Sequence, residues 1–202
     1  MDPRRACRRL AAVAEGRRAG MTLVELMVTL LIFGVISAVI FGFLTESRRS
    51  YAATRQKAQY QAGMRAVMSL MTREIRSAGA DPTAGAAFER FATATATQLR
   101  CRMDLNGDGD VADTSPDEDV TYTYDAAAGT LTRTAGGVDA VVLRGLNRVT
   151  FNYFDEDGDL LTAVPLGPVD RSLVRTVSLG LGGETDKHEP VEYDTRIMVR
   201  NE

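Results

Sequence analysis

The chain has 202 residues, 45% of them hydrophobic, with a formal net charge of −3. That length holds one domain plus an anchor, and the acidic balance argues against nucleic-acid binding. Two cysteines and a single histidine leave neither a disulfide framework nor a His/Cys zinc spacing.

Residues 1–20 are basic. Six arginines (positions 4, 5, 8, 9, 17 and 18) stand against Asp2 and Glu15, a net of +4, so the remainder carries −7. Cys7 lies in this leader, which leaves Cys101 without an intramolecular partner once the leader is gone. A basic flank of this kind is expected to stay on the cytoplasmic side of a membrane.

Next comes Gly20-Met21-Thr22-Leu23-Val24-Glu25, then an apolar run from Leu26 to Leu44 in which only Thr29 and Ser37 are polar. About 20 apolar residues cross the hydrocarbon core of a bilayer. Each Leu, Ile, Val or Phe favours insertion by about 0.3–0.6 kcal/mol, and one acidic residue at a helix centre costs about 2.5–3.5 kcal/mol. The run therefore outweighs Glu25, which sits near its end. An ionisable group at that depth calls for a partner of opposite charge. A cut between Gly20 and Met21 would supply one, because it creates an α-amine and makes Glu25 the fifth residue. An ordinary secretory signal fits poorly: its apolar core is about 7–15 residues and ends in an Ala-x-Ala-like site, whereas Phe41 to Glu46 offers none. A lipidated cysteine would follow the apolar segment, and Cys7 precedes it.

Gly20, Met21, Thr22, Leu23, Val24, Glu25 and Leu26 with the apolar helix resemble the N-terminus of type IV prepilins and type II secretion pseudopilins. The resemblance implies cleavage after Gly20 by an inner-membrane prepilin peptidase and methylation of the new N-terminus at Met21. It implies that Glu25 neutralises the N-terminal amine of a neighbouring subunit during assembly. Met21 departs from the phenylalanine usual at the first mature position.

From Glu46 to Ala78, residues Tyr60, Met64, Val67, Met71, Ile75 and Ala78 recur at three- and four-residue steps, one helical stripe. Arg55, Lys57, Arg65, Arg73 and Glu74 fall on the opposite face. Gly79 and Asp81-Pro82 form a stop signal. The spacing predicts one helix from about Thr22 to Ala78, about 85 Å long at 1.5 Å per residue, with two helices hinged near Gly42 to Ser50 as the alternative. Met64, Met68 and Met71 read as core filling.

Beyond residue 80 the period becomes two. Leu99, Cys101 and Met103 alternate with Arg100 and Arg102; Val120, Tyr122 and Tyr124 with Thr121 and Thr123; Val149, Phe151 and Tyr153 with Thr150 and Asn152. Ala126 to Gly129 reads as a turn with Leu131 and Arg133 on the return strand, and Asp155 to Asp159 as a hairpin-style turn. Leu173 to Leu181 and Tyr193 to Val199 complete about seven strands of an antiparallel sheet, with Pro165 and Pro168 marking a loop. Cys101 is expected inside a strand. The predicted fold class is α+β and pilin-like: one long N-terminal helix, transmembrane in its first half, packed on an antiparallel β-sheet head. The divisions are a leader at 1–20, a membrane half at 21–45, an amphipathic half at 46–80 and a head at 81–202.

Further segments resemble PilW-like minor pilins: Ser50-Tyr51, Arg65-Ala66-Val67, Arg73 to Pro82, Asp104 to Asp110, Gly129 to Arg133, and Phe151 to Asp155. The resemblance implies a low-abundance subunit, processed and methylated, that joins other minor and major pilins in or at the tip of a type IV pilus. Its partners would be those pilins, the prepilin peptidase and the bacterial inner membrane, crossed once with the head in the periplasm. A J-class minor pseudopilin of type II secretion shares these features. A third reading is an uncut, membrane-anchored domain that binds calcium or another ligand.

Asp104, Asn106, Asp108 and Asp110 place oxygen donors at alternate positions around Gly107 and Gly109, as in the first half of an EF-hand-type loop. They are candidate calcium ligands. Position twelve is Ser115 where such a loop has Glu, and Asp113, Asp117, Glu118 and Asp119 are the available replacements. Asp155, Asp157 and Asp159 form a poorer copy that a hairpin explains. A solvated acidic loop is the competing reading. No nucleophile elbow or P-loop occurs, and His188 lies in a Gly-rich charged stretch, so no enzymatic activity is expected.

Overall fold

One helix, α1, runs from Leu23 to Ser77 in the computed structural model, which describes residues 20–83, 87–184 and 190–200. Residues 1–19, with Cys7, lie outside the described residues, as does His188. The chain divides into two units, Met1–Tyr51 and Ala52–Glu202.

The first unit contains the apolar part of α1. Thr22 starts the helix: its Oγ1 accepts the Glu25 N–H at 3.2 Å, and its carbonyl accepts the Leu26 N–H at 3.1 Å. Thr-x-x-Glu is a capping-box pattern, and it satisfies donors that a helix start otherwise leaves orphaned. The most apolar 18-residue stretch has a mean hydropathy of 2.6 and no part of it is buried. Among the described residues this is the one helix long and apolar enough to cross a membrane.

In the second unit the rest of α1 turns Met64, Val67, Met68, Met71 and Ile75 into the core, Ala78 follows just past its end, and Tyr60 is half-buried beside them. These are the residues of the stripe expected from the spacing, joined by Met68, which was expected as core filling. Full burial of each such side chain contributes about 1.5–3 kcal/mol. Gly79 ends the helix with φ 78°, a conformation that suits glycine. Its N–H donates to Arg102 O at 2.8 Å, which ties the helix stop to the sheet.

The head has eight described strands in two antiparallel sheets where a single sheet of about seven was expected. The first sheet holds β1 (Phe91–Ala94), β2 (Gln98–Arg102), β3 (Asp119–Asp125), β4 (Thr130–Ala135) and β5 (Val138–Arg144) in sequential order. The second holds β6 (Leu146–Phe154), β7 (Thr176–Glu184) and β8 (Pro190–Met198). The alternations of β2, β3 and β6 point inward as expected: Leu99, Cys101, Val120, Tyr122, Val149, Phe151 and Tyr153 are all buried. Strands β1 and β5 escape the sequence pattern. On β5, Val138, Asp139, Ala140 and Val141 are all exposed, so no two-residue period marks it.

The two sheets meet through polar backbone as well as side chains. Phe151 N–H donates to Ala96 O at 3.1 Å, and Tyr153 Oη donates to Thr95 O at 2.7 Å. The strand expected to start at Leu173 starts at Thr176. Before it, the loop expected around Pro168 is a short helix, α2 (Pro168–Leu173). Proline at a helix start loses no hydrogen bond and has the required φ.

Candidate functional site

Gly20 sits immediately before the capped start of α1 and is exposed. A Cβ built there meets nothing within 4 Å, and its φ lies outside the left-handed region. Among the described residues, neither packing nor backbone conformation asks for glycine at that position. Met21 beside it is 68% exposed.

Glu25 occupies the third helical position, in the first turn at the positive end of the helix dipole. Its carboxylate is exposed and makes no ion pair or hydrogen bond among the described residues. Around it Leu23, Val24, Leu26 and Met27 are all exposed apolar side chains. An apolar surface this continuous marks a membrane or protein contact. The Thr22 cap escaped the sequence reading, although Thr22-x-x-Glu25 was the signal for it.

The acidic loop connects β2 to β3. The register pairs Arg102 with Asp119, and Met103 N–H donates to Glu118 O at 3.0 Å. Asp104 and Glu118, 14 residues apart in the chain but adjacent across the ladder, are thereby brought together; both are fully buried. Asp104 Oδ1 accepts Gly107 N–H at 2.5 Å and Oδ2 accepts Gly109 N–H at 2.9 Å. Gly107 and Gly109 take φ of 81° and 91°, which lets the loop curl around that carboxylate.

Oxygens of Asp104, Asp108 and Glu118 lie within 4.8 Å of one another, and so do those of Asp108, Asp110 and Asp113. Of the four expected ligands, Asp104, Asp108 and Asp110 therefore fall into two groups that share Asp108. Asn106 is placed otherwise: its amide nitrogen donates to Asp108 Oδ2 at 3.0 Å and to Asp113 Oδ2 at 2.5 Å. The Asp110 N–H and the Asn106 amide hold the Asp108 carboxyl below its usual range. Desolvation, then the charges of Asp108, Asp110 and Glu118, raise that of Asp113. Asp155 to Asp159 is a hairpin turn, with Asp159 N–H donating to Asp155 Oδ1 at 2.8 Å and Gly158 at φ 85°.

Residues 16–41 match the family described as the prokaryotic N-terminal methylation motif. The match spans Gly20 to Glu25 and most of the apolar run. No curated protein matches the chain. The motif implies association with other pilins and with a prepilin peptidase, and with the long apolar helix it fits membrane anchoring and incorporation into a pilus. The methylation motif, the 55-residue helix behind it and the antiparallel sheets of the head support a type IV pilin-like protein.

Proposed function

We propose that this chain is a PilW-like minor type IV pilin, a structural subunit that promotes pilus assembly in the filament or at its tip. The prepilin peptidase cuts between Gly20 and Met21 and methylates Met21. The chain crosses the inner membrane once, with the head in the periplasm, until it is drawn into the filament. There Glu25 neutralises the N-terminal amine of a neighbouring subunit.

One observation carries the reading. A Gly-Met-Thr-Leu-Val-Glu preface stands at the head of a helix that exposes its apolar N-terminal part and buries a stripe of its C-terminal part under its own sheets. A subunit that exchanges lipid for the helices of its neighbours needs that division. Gly20 adds support, since nothing among the described residues requires glycine there. An exposed, unpaired carboxylate on an apolar helix adds more. Desolvating such a charge without a partner costs several kcal/mol, so assembly has to bring a cation to it.

The test is the N-terminal mass of the protein recovered from membranes. A chain that begins at Met21 and carries one added methyl group supports the reading. A chain that keeps residues 1–20, in a host whose other prepilins are processed, overturns it. Deleting the gene then separates pilus from secretion apparatus: loss of surface pili supports a pilin, and loss of a secreted enzyme with pili intact makes the chain a pseudopilin.

A further inference from the structure

Glu118 is a carboxylate with an unmet requirement. It is fully buried. Its Oε1 accepts the N–H groups of Leu105 at 2.7 Å and Asn106 at 3.2 Å, while Oε2 is buried with no hydrogen-bond partner. No arginine or lysine among the described residues forms an ion pair with Glu118 or with the equally buried Asp104. A buried, unpaired charge is costly, and two beside each other compound the cost. Something positive belongs between them.

From this we infer that the loop between β2 and β3 holds a calcium ion, with Asp104, Asp108 and Glu118 as its protein ligands and Glu118 Oε2 as the oxygen that closes the site. The donor set is oxygen only, which selects a hard cation. Three carboxylate oxygens within 4.8 Å of one another fit one coordination sphere. Calcium takes oxygens at about 2.3–2.6 Å, so oxygens on opposite sides of the ion stand about 5 Å apart. Its flexible geometry accepts three carboxylates with water or carbonyl oxygen completing the shell, whereas magnesium demands a near-ideal octahedron. The sequence order of an EF-hand loop fails at Ser115. Closure comes instead from Glu118, which the β2–β3 register carries to Asp104. Asp110 and Asp113, grouped with Asp108 on the outer side, add negative potential at the mouth.

This site is independent of processing at Gly20, and either reading can fail alone. The test uses the full chain in detergent, stripped with a calcium chelator and titrated with calcium alone up to about 5 mM, which covers the affinities of extracellular calcium modules. Calorimetry reads binding and thermal unfolding reads stabilisation, since a ligand that binds only the folded state raises Tm with its concentration. The expected result is one saturable site, a Tm that rises with calcium, and a much smaller response to equal magnesium. Glu118→Gln removes the site. Asp108→Asn, at an exposed position that leaves the fold intact, weakens binding by roughly tenfold or more. Absence of both heat and Tm shift in the wild type overturns the inference. So does calcium affinity in a folded Asp108→Asn variant equal to that of the wild type.

Discussion

Arg133 Nη2 lies 2.8 Å from Glu74 Oε1, joining strand β4 to the helix from the side of the core. Both side chains are largely covered, at 18% and 15% exposure. Arg133 also reaches Asp117 Oδ2 at 3.0 Å, and the buried Tyr122 hydroxyl donates to Glu74 Oε2. Glu74 thus anchors three elements, where its place opposite the apolar stripe had suggested a solvated residue. Glu74→Ala strands the Tyr122 hydroxyl and removes the closest partner of Arg133. The expected loss is about 1–3 kcal/mol, the cost of leaving buried polar groups unsatisfied. Glu74→Gln keeps acceptor and shape and loses less. Thermal unfolding of the full chain in detergent measures both; an alanine variant that melts with the wild type would remove this residue from the account of stability.

The same contact makes the fold sensitive to alkali. Burial raises the Tyr122 phenol above its ordinary value of 10.0, and the Glu74 charge and hydrogen bond push it the same way. Burial also raises Tyr153 and, from 9.0, the Cys101 thiol. The folded chain keeps protons that the unfolded chain releases, so this stabilisation is complete below those ordinary values. It is lost as pH rises through 9 to 10 toward the raised folded-state values. Stability is expected to fall with pH above about 9, and Tyr122→Phe to show a shallower fall. Denaturation midpoints from about pH 8 to 11 decide it, and parallel curves for the two proteins would exclude Tyr122 as a contributor.

Tyr60 and Gly183 constrain each other. The Tyr60 hydroxyl donates to Gly145 O at 2.7 Å, and a Cβ on Gly183 would lie 2.0 Å from that hydroxyl and 2.7 Å from Gly145 O. Gly183→Ala is expected to cost about 1–3 kcal/mol or more, as overpacking does. At Gly180 the added carbon meets only the ends of Asp194 and Thr150, at 2.6 and 2.7 Å, which can swing away. Gly180→Ala should therefore cost less. Adding Tyr60→Phe to Gly183→Ala should restore only part of the loss, because the Gly145 carbonyl remains. Melting temperatures of the three variants give the order, and full recovery in the double variant would show that the carbonyl contact yields.

At the N-terminus, charge and capping can be separated. Thr22 Oγ1 caps Glu25 N–H, and glutamine serves the third position of a capping box nearly as well as glutamate. Glu25→Gln therefore keeps the helix start and loses the charge. Both Glu25→Gln and Glu25→Ala are expected to be processed normally and to impair assembly, while Gly20→Arg blocks cleavage. Pilus yield and the mass of the membrane protein report the outcomes. Wild-type piliation in Glu25→Gln would remove the Glu25 charge from the account of assembly, and a normally shortened Gly20→Arg product would remove the cleavage assignment.

The features legible in the sequence are those with a local period or a local order. The apolar run behind Gly20, the Met64-to-Ala78 stripe and the alternations of β2, β3 and β6 need only neighbours in the chain, because side-chain direction repeats every 3.6 or 2 residues. The division into two sheets depended on contacts such as Tyr153 to Thr95, which join residues 58 apart. Strand β5 carries no alternation because it exposes Val138 to Val141. Glu74 looked solvated by helical phase, and only its distance to Arg133 on β4 shows otherwise. At the acidic loop the residue types were plain in the chain, and Glu118 stood among the candidate replacements for the missing twelfth ligand. Choosing it over Asp113, Asp117 and Asp119 required the β2–β3 register, which buries Glu118 beside Asp104 and leaves one of its oxygens without a partner. A one-residue shift in that ladder would turn Glu118 to the other face. The chain alone specified the donors, and strand pairing selected which of them are held away from water.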